Sequence, residues 1–186
     1  MIPRLRAAPI AALAAVLLLA LPARSEAVAE TLAGASNVPL FSISKTENRN
    51  YVQFAERLDA RCAPIGSAPV FAYWKMIEHG PSAVEPLLAL EQPAYGVASQ
   101  SPLERGEGHG LVSVTLRALS RSPLLVESRR NGSGVCEASA KTPIGGVEAR
   151  LFNVHAILRW PFGVARLLVS GSSIADGRPV RETRTP

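Results

Sequence analysis

The chain has 186 residues, 47% of them hydrophobic, and a formal charge of +5 at pH 7, enough length to bury one sizeable core. Arg4, Arg6 and Arg24 lie in an N-terminal targeting segment, and without them the charge falls to +2. The remaining acidic and basic residues are interspersed, with only "RSPLLVESRR" locally basic as a solvated strand face, so nucleic acid is not an expected partner.

Residues 1–25 read as a secretory signal peptide, with a basic start, a charge-free apolar run from Ala7 to Leu21, and small residues before a cleavage point near Ser25. The apolar run contains Pro9 and is shorter than the roughly 20 residues that span a bilayer, so no membrane span is expected after cleavage. No cysteine follows it to carry a lipid. Residues 26–37, "EAVAETLAGASN", read as a flexible lead-in, and residues 38–186 as a single β-rich domain, periplasmic or secreted.

Period-2 patterns then dominate. "LFSIS", "YVQFAERL" and "PVFAYWKMI" read as three strands, the third apolar on both faces and therefore central. "PSAVEPLLALEQ" places Val84, Leu87, Leu88 and Glu91 at helical spacing, which predicts a short or broken helix over 82–91, interrupted at Pro86 and stopped by Pro93. "AYGVASQ" returns to extended chain, and "SPLERGEGHG" reads as a loop. In the second half "LVSVTLRAL", "LLVESRR", "VCEASAK", "VEARLFNVHAILRW" and "VARLLVSGSSI" read as strands. Asn131-Gly132 marks a hairpin turn and "GGVEARL" a strand-entry turn. The long strand is expected to present Phe152, Val154, Ala156, Leu158 and Trp160 on one face. The final "ADGRPVRETRTP" reads as a polar tail. The fold class is mostly β, an antiparallel sandwich or barrel of about eight strands with one short helix.

Chemistry-bearing patterns are few. No nucleophile elbow, His-Glu-x-x-His helix or phosphate-binding loop is present, so no catalytic residue, metal or cofactor is assigned. An alternative reading, an envelope hydrolase or metalloenzyme, draws on His79 and His109 with Glu78, Glu91 and Glu107, and needs the "SPLERGEGHG" loop to fold over the helix. His155 lies in mid-strand. Cys62 and Cys136, an even pair in an exported chain, are expected to form a disulfide, the competing reading being two independent buried thiols.

In "KTENRNY", Asn48 and Asn50 suit a tight turn between the first two strands or a ligand contact, and Lys45 and Arg49 beside them could receive an anion. "LFSISKTENRNYVQFAERLD", "PVFAYWKMIEHG", "AYGV" and "DGRPVRET", in this order over roughly residues 39–183, resemble the landmarks of the exported bacterial family catalogued as domain of unknown function 4833. The resemblance implies an exported β-rich domain with no assigned activity. It marks Asn48, Asn50, Tyr73, Trp74, Tyr95 and Gly96 as positions of interest without giving them roles.

On a strand, Phe71, Tyr73 and Lys75 face one way and Val70, Ala72, Trp74 and Met76 the other. A helix over 82–91 would cover the Phe71 and Tyr73 face, making Trp74 a core residue in preference to a pocket wall. The functional expectation is noncatalytic binding of a small molecule, a glycan or an envelope protein, with Asn48, Asn50, Tyr73, Trp74 and Tyr95 as candidate contacts. A purely structural interaction module is the third reading.

Overall fold

A computed structural model describes residues 36–46, 48–80, 83–120, 122–159 and 163–185. The expected signal peptide, most of the expected lead-in, the proposed helix start at Pro81 and the strand position of Trp160 lie outside these residues. The first strand, β1 (Ser36–Lys45), is followed by β2 (Tyr51–Leu58), β3 (Val70–Lys75), a 3-10 turn at Ile77–His79, β4 (Val84–Pro86) and one short helix, α1 (Gln92–Tyr95). Then come β5 (Val97–Gly106), β6 (His109–Leu116), β7 (Leu124–Arg130), β8 (Cys136–Ile144), β9 (Val147–Arg159), β10 (Gly163–Ser173) and β11 (Pro179–Arg184).

These strands form one open sheet of eleven, in the order β4-β3-β2-β1-β9-β8-β7-β6-β5, with β10 and β11 branching from β9. The pairing does not show the closed ladder of a barrel. The branch arises because β9 is long enough for two neighbours on one edge. Its first residues pair antiparallel with β8 from Ile144↔Val147 to Lys141↔Arg150, and its later ones pair in parallel with β1 from Ser42↔Asn153 to Lys45↔Ala156. β10 runs along the other edge. Between the terminal strand β5 and the penultimate strand β3 at the other side of the path, the Gln100 side chain donates from Nε2 to Val70 O and accepts from Val70 N, both at 2.9 Å. A side-chain amide thus takes the place of a backbone rung between β3 and β5.

Apolar residues alternate inward along both halves of the sheet and meet in one core. Phe54 on β2 stacks on Phe41 of β1 with ring centroids 4.6 Å apart, among Val112, Val114, Leu116, Leu124, Val126, Leu151 and Val154. The interior also holds polar groups. Glu56, between Phe54 and Leu58 on the inward face of β2, is fully buried, and Ser128 of β7 and Thr142 of β8 are buried with it. Neither Glu56 oxygen nor the Ser128 hydroxyl reaches a partner at hydrogen-bond geometry among the described residues. Burial raises the Glu56 carboxyl from 4.5 to about 7, the Ser128 hydroxyl opposing by less, since the charged form loses its water without gaining a cation. Gly110 is opposite Ser128, and a Cβ there would stand 2.3 Å from Pro64 Cδ and 2.7 Å from Ser128 Oγ, so only glycine fits.

Pro64 belongs to the connection after β2. Asp59 organises it by accepting from Arg61 N at 2.8 Å and Ala63 N at 2.9 Å, and Cys62, held at φ 64°, bonds to Cys136 at the start of β8 with Cα atoms 5.3 Å apart. The expected disulfide is present. Among the described residues no helix is long and apolar enough to cross a membrane.

Several expectations are corrected. Among the described residues 83–91 the predicted helix is not formed. Val84–Pro86 instead pair with β3, from Lys75↔Val84 to Tyr73↔Pro86, and helix appears only at Gln92–Tyr95. Pro86 lacks the N–H that a helix interior needs but is tolerated on an edge strand, and Pro93, read as a stop, lies in the first turn of α1, where its fixed φ is helical. The strand count exceeds the expected eight because β4, β5 and β11 carry little or no buried face and therefore little alternation. Phe152 does not share a face with Val154. It is the extra residue of a bulge, with Ser170 opposite Asn153 and Gly171 opposite Leu151, so Leu151 and Val154 both point inward. Asn131 closes the β7–β8 connection through its side chain, Oδ1 accepting from Ser133 N and Val135 N, so the loop is longer than a two-residue turn. The tight hairpin is at Gly145-Gly146, both with positive φ, at the predicted strand-entry turn into β9.

Candidate functional site

The connection between β1 and β2 reverses within a few residues. Asn48 shapes it: Oδ1 accepts the Asn50 N–H at 2.8 Å, an Asx turn that delivers Asn50 to the start of β2. Asn50 is buried, 8% exposed, and its Oδ1 accepts the Glu78 N–H of the 3-10 turn at 3.4 Å. The chain after β3 is thereby fastened to the turn before β2.

Trp74 stands on β3 opposite Val52, partly buried against the core at the end of the sheet beside this turn. The segment after β4 closes over it. Trp74 Nε1 donates to Glu91 Oε2 at 3.0 Å, and the same oxygen accepts the Leu88 N–H at 2.8 Å. Tyr95 of α1 meets the indole edge-on, with centroids 5.6 Å apart and planes at 70°. Burial, and then the Glu91 charge, push the Tyr95 phenol above its ordinary range. Gly96 ends the helix where a Cβ would be 2.5 Å from Gln92 O, so the close approach there requires glycine. The covering segment lies on the Trp74 face of β3, opposite to the expected Phe71 and Tyr73 face.

A cavity of about 220 Å³ remains between these parts. Lys45, Asn48 and Asn50 form one wall, Trp74 and Met76 the floor, and Glu85, Pro86, Leu88 and Glu91 the far wall. The Lys45 ammonium is 5.8 Å from the Trp74 ring centroid. Leu88 and Leu90 stand 57% and 79% exposed in the covering segment, an apolar surface beside a polar-walled cavity.

Of the candidate contacts, Asn48, Asn50 and Trp74 share this cavity, and Tyr95 supports Trp74 from behind. Tyr73 does not join them. It points to the opposite face of β3, stacked on Phe71 at 5.8 Å, with the Arg57 guanidinium 5.2 Å over the Phe71 ring. Sequence reasoning missed Met76, Glu85, Pro86 and Leu88 as wall residues and placed Glu91 on a helix face. The available signal was the unbroken "LLAL" between two prolines, an apolar run too short for a helix and too exposed for a core.

The histidine-centred alternative does not assemble. His79 Nδ1 lies 3.8 Å from Glu85 and His109 Nδ1 3.8 Å from Glu104, two separate pairs. No three His, Cys, Asp or Glu side chains among the described residues come together to hold a metal ion. His155 Nδ1 meets Ser44 Oγ at 2.9 Å because the two are directly opposite in the β1–β9 register, and Asn153 bonds the serine, leaving no acid to orient the imidazole. A larger groove of about 590 Å³ runs along β8 and the end of β10, but its charges largely satisfy one another through Lys141–Glu127 and Arg129–Glu137, and it has no aromatic wall. The smaller cavity is the better candidate, since polar groups, an indole face and exposed apolar surface converge there.

A family model described as Domain of unknown function (DUF4833) matches residues 41–183, and the chain belongs to that family. Comparison with curated proteins and with solved structures finds no match.

Proposed function

We propose that this member of the family is an exported, noncatalytic binding domain whose small-molecule ligand seats against Trp74. One observation carries the reading. Asn48 and Asn50, Trp74, and Glu91 come from three separated stretches of sequence and line one cavity, with Tyr95 packed on the Trp74 indole. Export is supported by the basic-apolar-small pattern of residues 1–25 and by a disulfide, which persists in an oxidising compartment. A site for one small molecule, in a single domain of residues 38–186, suits a periplasmic or secreted role in which the ligand is held or presented to an envelope protein.

A fragment screen read by ¹H–¹⁵N correlation spectra tests this. Binders are expected to shift the amides of Asn48, Asn50, Trp74, Leu88 and Glu91 together, along with the Trp74 indole N–H. Shifts that concentrate along β8 and β10, or no saturable shift from any fragment, would overturn it and favour a structural module.

A further inference from the structure

The hydrogen bonds that build the cavity wall also decide what it can recognise. Asn48 Oδ1 is taken by the Asn50 N–H and Asn50 Oδ1 by the Glu78 N–H. Each oxygen thus already holds one backbone N–H, and neither NH₂ group has a hydrogen-bond partner among the described residues. Asn50 is nine-tenths buried and lines the cavity, so its amide has little else to meet. Lys45 completes this wall, and among the described residues its ammonium has no ion-pair partner, only the indole face. The far wall carries two carboxylates: Glu91 Oε2 holds Trp74 Nε1 and the Leu88 N–H, and Glu85 lies 3.8 Å from His79. Among the described residues, the Lys45 wall offers two amide NH₂ groups and one full positive charge, beside Trp74 and Met76.

The geometry points to a small organic carboxylate as the ligand, its carboxylate held by Lys45, Asn48 and Asn50 and its apolar body laid on Trp74 toward Pro86 and Leu88. This rests on the binding reading above and adds the ligand's charge and polarity. A carboxylate brings acceptors and a negative charge to meet the two amide NH₂ groups and the Lys45 ammonium, whereas an amide lacks the charge and an amine adds like charge to Lys45. Glu85 and Glu91 repel a ligand anion at the far wall, which sets its direction: charged end at the β1–β2 turn, apolar end at the leucines.

Three probes with one body separate the possibilities: phenylacetate, phenylacetamide and phenethylamine, titrated into the full chain carrying Trp160→Phe, so that Trp74 is the remaining one of two tryptophans and reports by fluorescence. Phenylacetate is expected to bind about tenfold or more tightly than phenylacetamide, and to weaken with added salt. Lys45→Met should remove that preference. Asn48→Asp keeps the oxygen that accepts the Asn50 N–H but sets a negative charge in the donor wall, and should abolish phenylacetate binding while leaving the melting temperature close to that of the parent. Equal or tighter binding of the amide or amine, or a carboxylate preference that survives both variants, overturns the carboxylate assignment and leaves the cavity as a binding site. No saturable response to any of the three overturns both.

Discussion

Replacing Cys62 and Cys136 together by alanine should lower the stability of the domain by about 4.5 kcal/mol. The two residues are 74 apart in sequence, and the bridge between them removes the closure entropy of that long loop from the unfolded chain. The effect is large against the about 5–15 kcal/mol that separates folded from unfolded states in proteins generally. The folded state also depends on what the bridge anchors. Arg61 O accepts the Gly108 N–H at 2.8 Å and Ala60 O accepts from Arg130, so the connection that carries Pro64 toward Gly110 and Ser128 is tied to the sheet at several points around Cys62. Urea denaturation of the oxidised protein and of the double variant gives the comparison. A lower midpoint with a steeper dependence on urea is expected, because the uncrosslinked chain exposes more surface when unfolded. A difference below about 1 kcal/mol would mean that the unfolded chain is already compact near the bridge.

Glu56→Gln should stabilise the domain at pH 8 by about 3 kcal/mol and leave it nearly unchanged at pH 4. The Glu56 carboxyl titrates at about 7 when folded, against 4.5 for an exposed glutamate. The folded state therefore keeps a proton that the unfolded chain releases, and its stability contribution is fully present below pH 4.5 and is lost as pH rises through about 7. Glutamine has nearly the same shape and no charge to desolvate, so its variant should lack that decline. Few other groups obscure the comparison. Glu127, Glu137, Asp176 and Glu182 are shifted downward by Lys141, Asn131, Arg178 and Arg184 respectively, so their contributions change at lower pH. Denaturant midpoints measured from pH 4 to pH 8 read the difference, and parallel curves for parent and variant would show that Glu56 gains a compensating partner when ionised.

The parts of the fold legible in the sequence are those with one buried face. β2 and β7 carry inward residues at every second position through most of their length, and their predicted limits agree with the structure. The second half of β5 reads as a loop and β11 as a tail because both lie at sheet edges with mostly exposed side chains, so no apolar period reports them, whereas the opening "VASQ" of β5 reads as extended chain. In β9 the bulge at Phe152 shifts the alternation by one residue, a local event that an average over the strand conceals. The site divides in the same way. Asn48 and Asn50 were legible because their side chains act on nearby backbone, and Trp74 because it interrupts an apolar strand with a polar tip. Tyr73, its neighbour, was included on composition and falls away on geometry, since adjacent strand residues face opposite sides. Glu91 reaches Trp74 only through the tertiary fold, and helical spacing in "PLLALEQ" disguised a segment that closes a cavity.

The most direct measurement is native mass spectrometry of the protein purified from its own cells, compared with the Asn48→Asp variant prepared identically. The account expects a stoichiometric small-molecule adduct on the parent, identified as a carboxylic acid after release, and its absence from a folded variant. An adduct retained equally by Asn48→Asp would contradict the carboxylate assignment, and no adduct on either protein would contradict the assignment of the Trp74 cavity as the ligand site.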